Sequence, residues 1–431
     1  MSAPAPATAP GPVLHARVPG SKSITNRALL LAAAAPGRSR LSAPLVSDDT
    51  LAFRTALTAL GSGVTDDGGD GGAGAWTVTG TGAGPARPAD VWCADAGTAA
   101  RFLPPFAATG HAPVRFDGSD QLRARPLEPL LAALTGLGAD VRGAGLPFTV
   151  AGRGLAGGRV RLDSGLSSQY LSGLLMAAPL MAGPLTVDVP RLVSRPYLDM
   201  TLALMRRFGA DVEEHGSTVT VRPGGYTATD LTVEPDASTA SYVFAAAAVT
   251  GRTVRVAGLG TGSLQGDTAF VEVLRRAGAE VTVTPDWTQV TGTGALRGGF
   301  GVDMGDISDT FMTFAAIAPL ADAPVTITGI GHARLKESDR IAAVAENLAL
   351  LGIRTEVGPD RITVHPGTPV AGAVLGCRRD HRIAMSFSVL GLRVPGIVLD
   401  DPACVGKTFP GFHEELARLF APDTAAPAGR P

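Results

Sequence analysis

The chain has 431 residues, 45% of them apolar and 18% charged, which is enough for two domains with buried cores and unlike a disordered composition. A formal net charge of −2 excludes a general attraction for nucleic acid or anionic lipid, so the expected partners are small molecules. Three cysteines, Cys93, Cys377 and Cys404, form no CxxC pair, which argues against a disulfide framework or a zinc site and suits a cytoplasmic setting. The Ala/Pro-rich residues 1–12 lack the features of a leader and are expected to be a flexible tail, as are residues 421–431. No apolar run approaches ~18 residues, so no membrane span is expected.

A first strand is expected over residues 13–18. An Ala-rich helix with a polar start then recurs six times, anchored at Ser23, Thr98, Ser168, Ser238, Ser308 and Asp380, at steps of 75, 70, 70, 70 and 72 residues. A short β-branched run follows these helices, as at residues 185–187, 254–256 and 325–327. A second recurring helix ends at a glycine, at Gly61, Gly138, Gly209, Gly278 and Gly352, where a helix C′ position favours a residue without Cβ. A hairpin comes next, with partners at residues 76–79, 148–150 and 361–364. The unit reads βαβαββ, and six of them divide into two α/β domains of three. The expected domains are residues 19–233, and residues 13–18 plus 234–420, with a hinge near Glu234.

Charge is unevenly placed on this frame. Of 37 Lys and Arg residues only Lys22, Lys336 and Lys407 are lysine, so a surface supplied almost wholly with Arg keeps Lys at three positions. Lysine is expected there because a compact ammonium fits where a planar guanidinium does not. All three fall at helix starts, where free N–H groups and the positive end of the dipole favour anions. First-helix starts carry Lys22, Ser23 and Arg27; Gly97, Thr98 and Arg101; Ser167, Ser168 and Gln169; Asp309; and His381 and Arg382. Second-helix starts carry Arg125, Ser194, Arg195, Lys336, Glu337, Arg340 and Lys407. Two acids among so many cations, Asp309 and Glu337, read as an acid/base pair inside an anion site. Gly406-Lys407-Thr408 echoes a P-loop, but Asp401 stands where the first glycine belongs, and the seven histidines show no HExxH or paired metal spacing. No cofactor and no metal are expected.

The run from Pro19 to Leu31 (PGSKSITNRALLL), Ala96-Gly97-Thr98 with Arg101, Ser167-Ser168-Gln169-Tyr170, Arg334 to Arg340 (RLKESDR), Asp380 to Met385 (DHRIAM) and Lys407 to Pro410 (KTFP) closely resemble the 5-enolpyruvylshikimate-3-phosphate synthase family. The resemblance extends from about Leu14 to Leu419. It implies a fold of two domains, each of three βαβαββ repeats around a pseudo-threefold, closing on substrate at the hinge. It implies transfer of the enolpyruvyl group of phosphoenolpyruvate to the 5-hydroxyl of shikimate 3-phosphate, releasing phosphate, in aromatic amino-acid biosynthesis, by a monomer.

The resemblance also implies residue roles. Lys22, Ser23, Arg27, Ser167, Ser168, Gln169, Ser194, Tyr197, Asp309, His332 and Lys336 correspond to residues that hold shikimate 3-phosphate. Lys22, Gly97, Arg125, Gln169, Arg340, Arg382 and Lys407 correspond to those around phosphoenolpyruvate, where the herbicide glyphosate is expected to compete. Asp309 would accept the hydroxyl proton, and Glu337, helped by Lys22, would protonate the methylene carbon. Asp95, Ala100, Phe102 and His332 depart from the commonest family pattern. The rival expectation is the sister enzyme acting on UDP-N-acetylglucosamine, which usually carries a reactive Cys or Asp on a loop; between Phe102 and Arg125 there is no Cys, though Asp117 and Asp120 are present. A non-catalytic anion-binding scaffold is a second rival, against which the retained acids and lysines speak.

Overall fold

A computed structural model describes residues 12–68 and 74–421. The expected tails lie outside the described residues, except for Pro12 and Ala421. The helices are α1 Lys22–Ala34, α2 Asp48–Ala59, α3 Gly97–Ala108, α4 Asp120–Arg123, α5 Glu128–Gly136, α6 Ser168–Ala177 and α7 Arg195–Arg207. They continue as α8 Ala237–Thr250, α9 Phe270–Arg276, α10 Phe311–Ile317, α11 Arg340–Leu350, α12 His381–Gly391 and α13 Phe412–Phe420.

Five four-stranded sheets share one pattern among the described residues: a parallel pair, then an antiparallel hairpin. In one of them Ala89–Trp92 runs parallel to Pro113–Asp117, which pairs antiparallel with Phe148–Ala151 and through it with Asp140–Arg142. Two sheets borrow their first strand from a distant part of the chain. Gly37–Ser42 is joined in parallel by Leu231–Thr232, and Thr253–Ala257 by Val13–His15. The chain therefore passes twice between its halves, and the two passages lie side by side: Ser21 N donates to Glu234 O at 2.8 Å and Asp236 N to Pro19 O at 2.9 Å. The sixth unit departs from the pattern. It has only Val374–Leu375 parallel to Val398–Leu399, and α13 follows where the other units turn into a hairpin. Phe412, Leu416 and Leu419 of α13 are buried in the core, and Arg418 reaches back to His15 O at 2.7 Å.

The apolar interior forms two clusters, one running from Ile24 to Val233 and the other from Ala237 to Phe420, with Leu14, Ala16 and Val18 packed on the second. At their centres stand α1, α3, α6 and α8, buried on nearly every side because alanine and glycine dominate where backbones meet. Gly173 of α6 shows how close the approach is, since a Cβ there would lie 2.3 Å from the carbonyl oxygen of Arg101 on α3. Helices walled in laterally expose only their ends. The glycines that close the second helices adopt left-handed φ, from 75° at Gly352 to 103° at Gly61, and return each chain to its hairpin.

Candidate active site

The N-terminal ends of α1, α3 and α6 from one half and of α11 and α12 from the other open into one cleft. Their start residues are fixed by caps. Ser167 Oγ accepts from Gln169 N at 3.2 Å at the start of α6, and Asp339 and Asp380 cap α11 and α12. Asp236 caps α8 through Thr239 N at 2.8 Å and also accepts from Lys22 N at 3.0 Å, locking the start of α1 to that of α8. Ser194, the cap residue of α7, sits at φ 55°, a left-handed strain at the rim of the site.

The cleft wall carries seven basic side chains, Lys22, Arg27, Arg101, Arg125, Lys336, Arg340 and Arg382, against three acidic ones, Asp49, Asp309 and Glu337. Such an excess in a water-poor space is an anion trap. Arg340, 1% exposed, organises its acids. Its Nη1 lies 2.9 Å from Asp309, its Nη2 2.7 Å from Glu337 and its Nε 2.9 Å from Asp380. Asp309 takes further contacts from Arg382 Nη2 at 3.0 Å and Lys336 Nζ at 3.6 Å, and Glu337 from Arg125 Nη2 at 2.9 Å and Lys407 Nζ at 3.9 Å. Burial alone would lift the Asp309 carboxyl, but Arg382, Lys336 and Arg340 outweigh it and hold it well below the usual carboxylate range. Burial acts likewise on Glu337 and is outweighed by Arg125, Arg340, Lys407 and Lys22. Both acids are anionic in the free protein at neutral pH.

Most of the residues expected at the site line this cleft, among them Ser23, Gly97, Ser168, Gln169 and Tyr197. Four are placed less simply. Arg27 is in the wall but turned inward, with four hydrogen bonds, to Thr201, Ser172 and the carbonyls of Ser23 and Tyr197. Ser194 and His332 lie outside the wall and face each other at 3.4 Å, with Ser308 Oγ 2.7 Å from the same ring nitrogen. Burial, then Lys336, pushes His332 down to about 4, so its ring is neutral. Lys407 lies outside the wall and meets the cleft through Glu337 and Asp49, its ammonium bonded to Asp95 O at 3.0 Å. Its neighbour Asp49 escapes a reading of the sequence. It stands 3.2 Å from Lys22 Nζ and 3.8 Å from Lys407 Nζ, and the signal for it is the same second-helix phase that marks Arg125 and Lys336.

The EPSP synthase (3-phosphoshikimate 1-carboxyvinyltransferase) family model matches residues 12–416. The chain belongs to the EPSP synthase family. It is similar to the 3-phosphoshikimate 1-carboxyvinyltransferases of Nostoc punctiforme, at 44% identity over 94% of this chain and 95% of the relative, and of Methanosphaerula palustris, at 42% over 94% and 97%. Among solved structures, the EPSP synthase of Acinetobacter baumannii superposes with a TM-score of 0.77 at 27% identity, covering 95% of this chain and 97% of that one.

Within this EPSP synthase family member, two of the residues expected to depart from the commoner pattern have clear local partners. The Asp95 carboxylate turns away to Arg379 at 3.1 Å and to Ser119, leaving only its carbonyl toward Lys407. Phe102 supports the Arg27 guanidinium, whose carbon is 5.0 Å from the ring centre. Asp117, at the end of its strand, and Asp120, at the start of α4, are tied to Arg123 and do not line the cleft.

The tight lodging of the lysines has a measurable consequence. Lys407 is 7% exposed, and a guanidinium there must displace Asp49 or the Asp95 carbonyl. Lys407→Arg and Lys22→Arg are each expected to lower turnover at least ~tenfold, about 1.4 kcal/mol of transition-state stabilisation, without unfolding the protein. Near-normal turnover in both variants would contradict a role for the ammonium shape.

Proposed function

We propose that the cleft transfers the enolpyruvyl group of phosphoenolpyruvate to the 5-hydroxyl of shikimate 3-phosphate, with Asp309 and Glu337 as its proton-moving groups. One observation carries this reading: a single buried guanidinium, Arg340, holds both acids, so each has a fixed place in a cationic cleft. Asp309 takes the proton of the hydroxyl while Glu337, beside Lys22, delivers one to the methylene carbon. Attack at the enol carbon forms a tetrahedral ketal phosphate, and the reverse proton movement on the carbon expels phosphate. Ser23, Ser167, Ser168, Gln169, Tyr197 and Lys336 are assigned to shikimate 3-phosphate, with Arg27, Ser194 and His332 bracing that subsite. Lys22, Gly97, Arg125, Gln169, Arg340, Arg382 and Lys407 are assigned to phosphoenolpyruvate. Arg125 Nε donates to Lys336 O at 3.1 Å and Gln121 Nε2 to Glu337 O at 2.7 Å, contacts between the halves that favour a closed form around bound substrate. The protein is assigned to the cytoplasm as a monomer; no helix among the described residues is long and apolar enough to cross a membrane. A phosphate-release assay tests the reaction: phosphate should appear only when both substrates are present, and UDP-N-acetylglucosamine should not replace shikimate 3-phosphate. Release with that sugar nucleotide alone as acceptor would overturn the assignment.

The acid must be protonated to act, yet Glu337 is anionic in the free site. Two phosphates and two carboxylates reverse the local charge balance, and the pKa that the cations depress rises when the substrates neutralise them. Formation of the ternary complex at pH 7 is expected to take up about one proton, so affinity falls as pH rises toward the bound-state value and levels off above it. Calorimetry with shikimate 3-phosphate and an unreactive phosphoenolpyruvate analogue, in buffers of different ionisation enthalpy, measures this. Absence of uptake would exclude Glu337 as the acid.

Gly97 marks the phosphoenolpyruvate side. A Cβ there would lie 2.5 Å from Arg125 Nη1 and 2.9 Å from Arg101 Nη1, both ends of flexible side chains, so the fold tolerates it while Arg125 is displaced. Gly97→Ala is expected to raise the KM for phosphoenolpyruvate about tenfold and to weaken glyphosate more, with the KM for shikimate 3-phosphate within about threefold. Equal glyphosate inhibition of both proteins would contradict the placement.

A further inference from the structure

Asp267 stands behind the site, in the turn Gly266–Ala269 that leads into α9, and is 5% exposed. Its Oδ2 receives the Ser238 hydroxyl and lies 3.3 Å from the Tyr197 hydroxyl, while its Oδ1 has no partner among the described residues. The same Tyr197 hydroxyl is 3.3 Å from Asp309 Oδ2. One phenol, brought by α7 from the other half of the molecule, thus bridges two carboxyl groups. A small pocket with room for a water molecule adjoins Tyr197 and Asp267, with Ser23, Met200, Ser238 and Gln265 also in its wall.

We propose that Asp267 is a positioning residue that works through Tyr197: it takes over the proton that Asp309 draws from the substrate hydroxyl and passes it to water in the adjoining cavity. The proposal rests on the reading of Asp309 as the base. The hydroxyl O–H bond breaks as an O–H bond forms on Asp309. That proton moves to the Tyr197 oxygen as the phenol gives its own to ionised Asp267, which releases it to water. The departing phosphate takes one from solvent, so the sum of protons is unchanged.

The charges around the relay set its direction. Facing Asp267 are Tyr197 from α7, Asp236 and Ser238 at the start of α8, Gln265 on its own turn, and Asp309 and Arg382 from the next units. Burial, the charge of Asp309 and that of Asp236 push the Asp267 carboxyl up to about 7, against the pull of Ser238 and Arg382. Burial and the two aspartates hold the Tyr197 phenol well above its ordinary value, so it conducts by exchange and does not ionise. The transfer leaves Asp309 ionised again, and above about pH 7 Asp267 passes its proton to water.

The test uses the whole enzyme and the variants Asp267→Asn, Tyr197→Phe, their combination, and Asp309→Asn. Because the acceptor must be ionised, wild-type kcat should rise from pH 6 to 8, and Asp267→Asn should abolish that rise. It should also lower kcat at pH 8 about tenfold, with the KM for shikimate 3-phosphate within about threefold, and the double variant should be no slower than the slower single one. A retained pH rise, or losses that multiply in the double variant, would overturn the relay. If Asp267→Asn does not fold, Tyr197→Phe decides through the same pH limb, whose persistence overturns the relay and whose loss supports it. Asp309→Asn separates the two layers: if it is inactive while Asp267→Asn behaves as wild type, the relay alone fails. If Asp309→Asn turns over normally, the base assignment fails and the relay with it.

Discussion

Glu337→Gln is expected to lower turnover by about 10² to 10⁴, the usual worth of a positioned general acid, while the protein keeps its fold and its affinity for shikimate 3-phosphate. The amide oxygen still accepts a hydrogen bond from Arg340, now 2.7 Å from Oε2, while the amide nitrogen replaces the oxygen that faces Arg125 at 2.9 Å, so the site loses the transferable proton and one negative charge. The same range applies to Asp309→Asn, whose two oxygens are spread over Arg340 at 2.9 Å and Arg382 at 3.0 Å. Steady-state phosphate release with both substrates saturating measures both variants. Turnover within threefold of wild type in either would remove that acid from the mechanism.

Arg340→Met is expected to be the most destabilising change in the cleft. The guanidinium is 1% exposed and meets Asp309, Glu337 and Asp380 at once, while Asp380 itself is 0% exposed. A methionine fills the space but leaves three acids short of a partner, and breaking a buried ion pair costs about 3–5 kcal/mol. Arg382, Lys336 and Arg125 still serve Asp309 and Glu337, so the loss falls mainly on Asp380, which also caps α12 through Arg382 N at 3.1 Å. Urea unfolding followed by a probe in the second half should show the midpoint lowered with little change in slope. Asp380→Asn combined with Arg340→Met should recover part of the stability, because it removes the uncompensated charge; a double variant less stable than Arg340→Met would contradict this cause.

Much of the frame is legible in the sequence because it is local. A helix that ends at glycine and turns into a hairpin leaves its mark within a dozen residues, and Gly61, Gly138, Gly209, Gly278 and Gly352 all take the left-handed φ that makes the mark necessary. The borrowed strands are another matter. Leu231–Thr232 joins Gly37–Ser42 across nearly two hundred residues, and two residues of β-branched or apolar type carry no pattern that names a partner. The short sixth unit is hidden for a similar reason, since helix α13 supplies apolar residues at a phase where a hairpin would also need them.

At the site, residue type and helix phase reveal the cationic ring, but spacing does not say which way a side chain turns. Arg27 and Arg382 both follow helix starts; one is committed to Thr201 and Ser172 and the other to Asp309. Asp49 and Asp267 occupy the second-helix phase of the first and fourth units, where an acid in a first turn reads as an ordinary cap. Only the fold shows that Asp49 faces two lysines and that Asp267 meets Tyr197.

In the proposed mechanism Asp309 and Glu337 attend the two reacting centres from opposite ends of Arg340. A crystal structure of Glu337→Gln with shikimate 3-phosphate and phosphoenolpyruvate trapped together tests this most directly. The expected result places an Asp309 oxygen within about 3 Å of the 5-hydroxyl, and the amide introduced in place of the Glu337 carboxyl against the face of the methylene carbon. Substrates bound with the 5-hydroxyl turned toward Asp49 or Lys407, and Asp309 bonded only to Arg340 and Arg382, would contradict it.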